Sequence, residues 1–240
     1  MKVIGFIGYV DKTDFIIAVS KMLTICNKKV LIFDGTLEQR LKYMMPSIEN
    51  IMQPHITNFD GLYGAVNFET IGHLEKYAAE RNINLDEYDY MIVDVDDPQS
   101  YQELRKRGYD KAYFFFEHSP VCIAKNLELL KGIFSFKLPE QEIKMSKIIY
   151  KLYLTRASET YFESKFSEYD VKWEDDPIEV PQDLGDKAVA IENNFANTIE
   201  TKKLSSGFKG AAMELAARLL GDGQLPFVRK TVKDFERRKR

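Results

Sequence analysis

The first 26 residues combine a strand, a short loop and an amphipathic helix, and this order restricts the fold more than any later segment does. Residues 2–7 have the composition of a buried strand, the loop from Gly8 to Asp14 reads GYVDKTD, and a helical pattern continues to Cys26. Such a loop places backbone N–H groups at a helix N-terminus, where they can bind phosphate. The N-terminus therefore has the layout of a phosphate-binding loop (P-loop).

The loop keeps some residues of such a site and replaces others. Lys12 and Thr13 stand where a P-loop has its lysine and threonine, but Asp11 stands where it has a glycine. A carboxylate at this position would repel phosphate oxygens and fill the anion site at the helix end. An Asp11–Lys12 ion pair, worth about 4 kcal/mol at about 4 Å and an effective dielectric constant near 20, would also neutralise the lysine. We expect Asp11 to block the site; the alternative is that Asp11 and Asp14 only cap the helix.

Short apolar runs alternate with helical patterns along the rest of the chain. The predicted strands are residues 3–7, 29–33, 88–94, 111–116 and 147–153. The predicted helices are residues 12–26, 68–82, 99–108, 119–134, 186–195 and 207–220, with a shorter one around 41–45. Because the strands are apolar on both faces, the pattern favours an α/β fold with a mostly parallel sheet covered by helices on both faces.

Two segments lack a clear pattern. Residues 46–67 read as a loose connection, and residues 158–183 are acidic and aperiodic, which predicts a solvated loop rather than an interaction motif. With 240 residues the chain is long enough for one sizeable core. We expect a single domain over residues 1–223, followed by a basic tail over residues 224–240.

Composition excludes several classes of protein. The net charge is −3 and 30% of residues are charged, which argues against a disordered chain or a general nucleic-acid binder. No apolar stretch reaches the roughly 20 residues that cross a bilayer. Cys26 and Cys122 lie in apolar runs without metal-ligand spacing, as buried thiols in a reducing compartment do. A cytoplasmic protein is expected.

Acidic residues follow several of the predicted strands. Ligands of parallel α/β sheets bind at the carboxyl ends of the strands, which here carry Asp34, Asp94 and Glu117. The crevice should therefore be acidic and suit Mg²⁺ or an electropositive partner better than free phosphate. Ser119 and Pro120 next to Glu117 read as the cap and first residue of a helix, not as part of a catalytic triad.

Taken in order, these segments resemble the deviant-Walker ATPases of the MinD/ParA group over almost the whole chain. Gly8, Lys12 and Thr13 match that group's P-loop, whereas Ile7 replaces its signature lysine and Tyr9 replaces a glycine, as Asp11 does. The resemblance implies a P-loop NTPase fold. It also places Lys12 and Thr13 in the nucleotide-binding set, with Gly8 and Asp11 beside them.

The resemblance extends to three later motifs. It implies that Asp34 contributes to activating water, and that Asp94, together with Thr13, holds Mg²⁺. The VPQD sequence that contains Pro181 is similar to the family's adenine-side loop. Thr155 stands where the family has the asparagine that reads adenine.

These replacements predict a degenerate member of the group. We expect no hydrolysis and no bound nucleotide; ATP or ADP with Mg²⁺ is the alternative. The predicted function is a pseudo-ATPase that positions, assembles or regulates a bacterial membrane-associated machine such as a pilus, secretion or conjugation apparatus, as TadZ-like members of the superfamily do. The alternative is an active ATPase whose dimerisation nucleotide controls. Protein partners are expected, among them a second copy, with Tyr9 as an aromatic anchor on the crevice face.

The C-terminal tail is the second informative segment. Seven basic residues oppose two acidic ones after residue 224, and Phe227, Thr231 and Phe235 recur at four-residue spacing. A helix here would have a narrow apolar stripe and a basic remainder, similar to the membrane-binding tail of MinD-like proteins. The alternative is a solvated terminus. We expect the tail to contact the inner face of the membrane. We favour this over contact with nucleic acid, because the sequence shows no basic patch outside the tail.

Overall fold

A computed structural model describes residues 1–45, 53–136, 142–151 and 156–238. These residues form one sheet of eight strands. The strands are β1 (Lys2–Ile7), β2 (Val30–Asp34), β3 (His55–Phe59), β4 (Leu62–Val66), β5 (Tyr90–Val95), β6 (Lys111–Glu117), β7 (Ile143–Lys151) and β8 (Val171–Pro181). Their order is β3-β4-β2-β5-β1-β6-β7-β8, and every pairing is parallel except that of β3 with β4.

Helices cover both faces of this sheet. They are α1 (Thr13–Ile25), α2 (Leu41–Met44), α3 (Ile71–Glu80), α4 (Pro98–Arg107), α5 (Pro120–Ser135), α6 (Arg156–Phe166), α7 (Leu184–Ala196), α8 (Ser206–Leu220) and α9 (Leu225–Arg238). One apolar core joins α1, α8 and α9 to the sheet, and a second core joins α3, α4 and α5 to the opposite face. The predicted α/β architecture is confirmed.

The central strands confirm the argument from apolar runs. All five residues of β2 and all six of β5 are buried, because helices cover both of their faces. Strand β7 begins four residues earlier than predicted, at Ile143. Ser119 caps α5 by accepting from the Cys122 N–H, and Pro120 is its first residue, as predicted.

The loose connection contains a β-hairpin that the sequence did not predict. Strands β3 and β4 pair in antiparallel register through a two-residue turn, where Asp60 has a φ of 48° and Gly61 a φ of 93°. Both angles are those of a hairpin turn that twists with its strands. Polar residues at Thr57 and Asn58 conceal the strand pattern in the sequence, because β3 lies at the edge of the sheet and is only partly buried.

The solvated loop predicted for residues 158–183 is wrong. Helix α6 and strand β8 occupy most of it. Val171, Ile178 and Val180 of β8 are buried, whereas Asp175, Asp176 and Glu179 are exposed on this edge strand. Charges of this kind protect an edge from pairing with another chain, and they also hide the strand in the sequence.

The basic tail forms α9, which is part of the folded body. Val228 and Val232 are fully buried in the core with α1 and α8, and Phe235 packs beside them. Glu236 accepts a hydrogen bond from Thr201 and pairs with Lys209 at 3.2 Å. The residues expected to form the apolar stripe thus divide: Phe227 stays half-exposed, whereas Phe235 packs against the core.

Register brings the predicted site residues to one edge of the sheet. Asp34 pairs with Asp94 across β2 and β5, and Phe6 of β1 also lies opposite Asp94. The loop after β1 therefore begins beside both carboxylates. None of the helices in the described ranges is long and apolar enough to cross a membrane.

Gly8 has no room for a side chain. Its φ is +135°, and a Cβ there would lie 2.2 Å from the carbonyl oxygen of Phe115 in β6. The glycine is needed because two strand backbones approach each other, whatever the loop binds.

We predict that Gly8→Ala lowers the free energy of unfolding by about 3 kcal/mol or more, through the strained φ and the backbone clash. Gly210→Ala is the matched control, because Gly210 lies in α8 with nothing within 4 Å of its added Cβ. It should raise stability by up to about 1 kcal/mol through helix propensity. Urea denaturation measures the stability of both variants. Equal changes in the two would contradict a backbone clash at Gly8.

Candidate functional site

Lys12 lies at the centre of the site and is only 1% exposed. Its ammonium group pairs with Oδ1 of Asp94 at 2.9 Å. It also donates to the carbonyl oxygens of Gly8 and, at 3.3 Å, of Val10. The lysine that would bind phosphate is therefore enclosed by acceptors from its own loop and from β5.

The ion pair expected between Asp11 and Lys12 is wrong. The two side chains diverge, since Lys12 turns inward to Asp94 while Asp11 faces the surface. The Asp11 carboxylate pairs with Arg40 at 3.0 Å and with Lys187 at 3.8 Å. Arg40 precedes α2 and Lys187 lies in α7, so Asp11 links two elements that flank the loop.

The Asp11 carboxylate lies at the N-terminal end of α1. Its Oδ1 accepts the N–H of Thr13, the first residue of α1, at 3.1 Å. Burial would raise the pKa of Asp11, but Lys187, the Thr13 N–H and Arg40 together lower it below its usual value. The carboxylate is therefore ionised and held in place by cations and a backbone donor.

Other loop N–H groups have protein acceptors as well. The Gly8 N–H donates to the Val95 carbonyl at 2.9 Å, and the Tyr9 N–H donates to Oδ1 of Asn126 at 2.7 Å. Asn126 is fully buried in α5, and its amide donates in turn to the Phe115 carbonyl. Sequence reasoning missed Asn126; its only signal is an amide on the apolar face of a helix.

The two strand-end aspartates differ in environment. Burial raises the pKa of Asp94 to about 7, with Lys12 opposing the rise and Asp34 adding to it. Asp34 instead uses both carboxylate oxygens to shape its own loop. It accepts from the N–H and hydroxyl of Thr36 and from the N–H of Leu41 at 2.8 Å. Its bonds are those of a turn-forming residue.

The groups present do not fit a nucleoside triphosphate in this arrangement. A cavity of about 90 Å³ remains beside the loop, and Tyr9, Lys12, Arg40 and Asp94 line it together with six other residues. Pockets for small ligands usually measure about 300–1,000 Å³. Asp94, the predicted magnesium residue, faces Lys12 instead.

The described part of the predicted adenine side, around Pro181 and Asp183, is tightly packed. Pro181 ends β8, and its ring packs so closely on Gly207 that a Cβ there would lie 2.9 Å from it. Asp183 caps α7 by accepting the Gly185 N–H at 2.7 Å. The cavity between this cap and α1 is about 10 Å³, no more than one water requires. Thr155 lies outside the described residues.

Solved structures of known proteins share this fold. MinD of Aquifex aeolicus, in a cell division complex with MinC, is 15% identical, aligns over 93% of this chain and 97% of its own, and gives a TM-score of 0.62. A ParA family ATPase from Chlorobium tepidum is 18% identical over 89% of this chain and 98% of its own, with a TM-score of 0.59. A plasmid partition protein from Borrelia burgdorferi bound to AMPPNP is 16% identical over 91% and 99%, with a TM-score of 0.60.

These similarities establish a MinD/ParA-type P-loop NTPase fold, as the sequence motifs predicted. At such identities they carry the fold alone. No protein family model and no curated protein sequence matches the chain.

The raised pKa of Asp94 predicts a pH dependence of stability. Native Asp94 keeps its proton up to about pH 7, whereas in the unfolded chain it loses the proton near its ordinary value of 3.8. The native state therefore binds more protons between these values, and this contribution to stability falls as pH rises through the window. Asp94→Asn should remove about 2 kcal/mol of the decline between pH 5 and pH 8.

Urea denaturation at the two pH values measures this difference. Asp86→Asn is the control, because Asp86 is exposed and should leave the decline unchanged. An equal decline in wild type and in Asp94→Asn would show that Asp94 is ionised throughout the range.

Proposed function

We propose that this chain is a non-hydrolysing protein of MinD/ParA fold that positions, assembles or regulates a bacterial membrane-associated machine. One observation carries the proposal: the groups that would hold phosphate already have partners within the chain. Lys12 pairs with Asp94, and the Thr13 N–H donates to Asp11. A protein that acts by binding protein partners on its surface does not require this site to bind nucleotide.

The fold supports a role in positioning. Similar structures carry names that refer to cell division and to plasmid partition. Their activities belong to those proteins, and for this chain the shared property is the fold. The choice among a pilus, secretion or conjugation machine rests on the sequence resemblance alone.

An active ATPase is the second candidate. Lys12, Thr13, Asp34 and Asp94 are all present, and one similar structure holds AMPPNP. For this candidate, ATP with Mg²⁺ would have to displace Asp11 and draw Lys12 away from Asp94. Nucleotide binding together with phosphate release therefore separates the two functions.

Peripheral contact with an anionic membrane belongs to the same proposal. Exposed basic residues of α9 would make this contact, and its buried valines would stay in the core. The exposed set is Arg229, Lys230, Lys233, Arg237 and Arg238. Each such charge near an anionic surface contributes about 1 kcal/mol. Attachment of this kind is electrostatic and reversible.

We predict that wild-type protein shows no thermal shift and no phosphate release with millimolar Mg·ATP. A ligand at about 100 times its Kd would stabilise the fold by about 2.7 kcal/mol, so binding would be visible. Asp11→Gly should gain affinity at least about tenfold, because it frees Arg40, Lys187 and the Thr13 N–H.

Asp11→Asn separates charge from backbone freedom, since the amide keeps the shape and the acceptor oxygen. A gain in nucleotide affinity in both variants would show that the charge of Asp11 blocks the site. A gain in Asp11→Gly alone would show that the restricted backbone at this position blocks it. A wild-type shift with phosphate release would remove the non-hydrolysing function in favour of the ATPase.

A second prediction concerns the membrane. The intact chain should co-sediment with vesicles that contain anionic lipid, and less so at high salt. Reversing Arg229, Lys230 and Lys233 to Glu should abolish this binding, because these charges are exposed. Reversing Lys76, Lys106 and Lys125, exposed on α3, α4 and α5, is the control. Equal pelleting of both triple variants would contradict attachment through α9.

A further inference from the structure

Helix α7 presents an apolar stripe to solvent. Leu184 is 87% exposed, Ile191 is 57% exposed and Phe195 is 84% exposed, and the small exposed Ala188 lies between them. Single exposed apolar residues are common on protein surfaces, but three large ones aligned on one helix mark an interaction site. The stripe lies outside the candidate nucleotide site.

The opposite face of α7 is fixed to the body. Val189 is buried, and the buried Asp186 accepts from both the N–H and the hydroxyl of Ser205 at 2.7 Å. Asn193 accepts the Glu200 N–H at 3.0 Å, and Asn194 donates to the Met44 carbonyl at 2.9 Å. The stripe is thus held on a rigid helix, and it cannot turn inward without breaking these bonds.

The spacing of the stripe is that of a two-stranded helix pair. Leu184, Ala188, Ile191 and Phe195 follow one another by four, three and four residues, as d, a, d and a positions do. Lys187 and Glu192 flank the stripe on opposite sides, five residues apart. In a parallel pair these are the g and e positions, where opposite charges of two copies meet.

We propose that a second copy of this chain docks on α7, so that the two α7 helices pack in parallel and in register across a two-fold axis. Leu184, Ile191 and Phe195 would pack against their equivalents, and Ala188 would let the helices approach closely. Lys187 of each copy would face Glu192 of the other. The heptad spacing of the stripe and the opposite charges of Lys187 and Glu192 make this face complementary to a second copy of itself, and this favours a second copy as its occupant.

The charges of Lys187 and Glu192 would fix the register of the two helices more than they would strengthen the dimer. Lys187 also pairs with Asp14 and Glu192 with Lys203 within one copy, and all four side chains are partly exposed. The three large side chains would bury on the order of 400 Å² per copy, about half of a standard interface. The dimer should therefore be weak and concentration-dependent.

This interface differs from the crevice-face dimer for which Tyr9 was the expected anchor. Tyr9 is 42% exposed in the loop after β1, whereas the stripe lies on α7. The α7 dimer needs no nucleotide, so its test is independent of the proposed loss of hydrolysis.

Sedimentation velocity of the full chain without nucleotide, over a wide concentration range, tests the proposal. We expect a monomer–dimer equilibrium in wild type, and Ile191→Glu should raise the dimer Kd at least about tenfold by placing a charge in the stripe. Val121→Glu is the matched control, because Val121 is an exposed valine on α5 and is 65% exposed. It should leave the dimer unchanged, and melting curves verify that both variants fold.

Cysteine cross-linking tests orientation. Cys26 and Cys122 are both buried, so only an introduced surface thiol can form a disulfide between two copies. Ala188→Cys and Leu184→Cys should each form a disulfide-linked dimer on oxidation, whereas Lys106→Cys on α4 should not. An antiparallel pair would leave two Leu184→Cys thiols about 16 Å apart along the helices, from a rise of about 1.5 Å per residue, and would not link them.

Three outcomes would overturn the proposal. The first is a chain that stays monomeric at high concentration, whether or not vesicles or another protein bind to α7. The second is a dimer that Tyr9→Ala abolishes and Ile191→Glu leaves intact. The third is the absence of a cross-link through Leu184→Cys in a protein that does dimerise.

Discussion

The buried contact between Lys12 and Asp94, which becomes an ion pair as Asp94 loses its proton near pH 7, is the interaction on which the site depends. It joins the loop after β1 to the end of β5 at the centre of the sheet, with both partners almost fully buried. Burying two charges costs several kcal/mol per ion, and their attraction offsets this only if other polar groups help. The carbonyls of Gly8 and Val10 supply that help by accepting from the ammonium. The loop is therefore folded around its own lysine.

A second group of contacts closes the loop from outside. Asp11 is held by Arg40 and Lys187, which come from elements on either side of the loop, and it accepts the first N–H of α1. The same helix-end geometry that would bind phosphate in an open P-loop thus binds a carboxylate of the chain itself. Because Lys187 belongs to α7, this contact also places the base of the proposed dimer helix beside the loop.

The sequence predicted the central fold because the physical signals there are local. Strands buried on both faces must be apolar throughout, and glycine, lysine and threonine have fixed places after β1. It did not predict β3 and β8, because edge strands carry polar residues such as Asn58 on their exposed side. The partners of Asp11 and of the Tyr9 N–H were missed for a different reason: Arg40, Lys187 and Asn126 reach the loop only after the chain has folded.

The contacts of the loop differ in how readily a ligand could replace them. Arg40 and Lys187 are about half exposed, and pairs of this kind contribute about 0–1 kcal/mol each, so the negative charge of Asp11 at the helix end opposes a phosphate more than the strength of its ion pairs does. Lys12 is harder to release, but the raised pKa of Asp94 lets that carboxyl take up a proton instead of remaining as an unpaired buried charge. The bond from the Tyr9 N–H to the buried Asn126 has no such relief, because Asn126 is also fixed to the Phe115 carbonyl. A phosphate can therefore replace the side-chain partners of the loop, but it cannot replace the acceptor of the Tyr9 N–H. This backbone bond sets the upper limit on any affinity of the loop for phosphate.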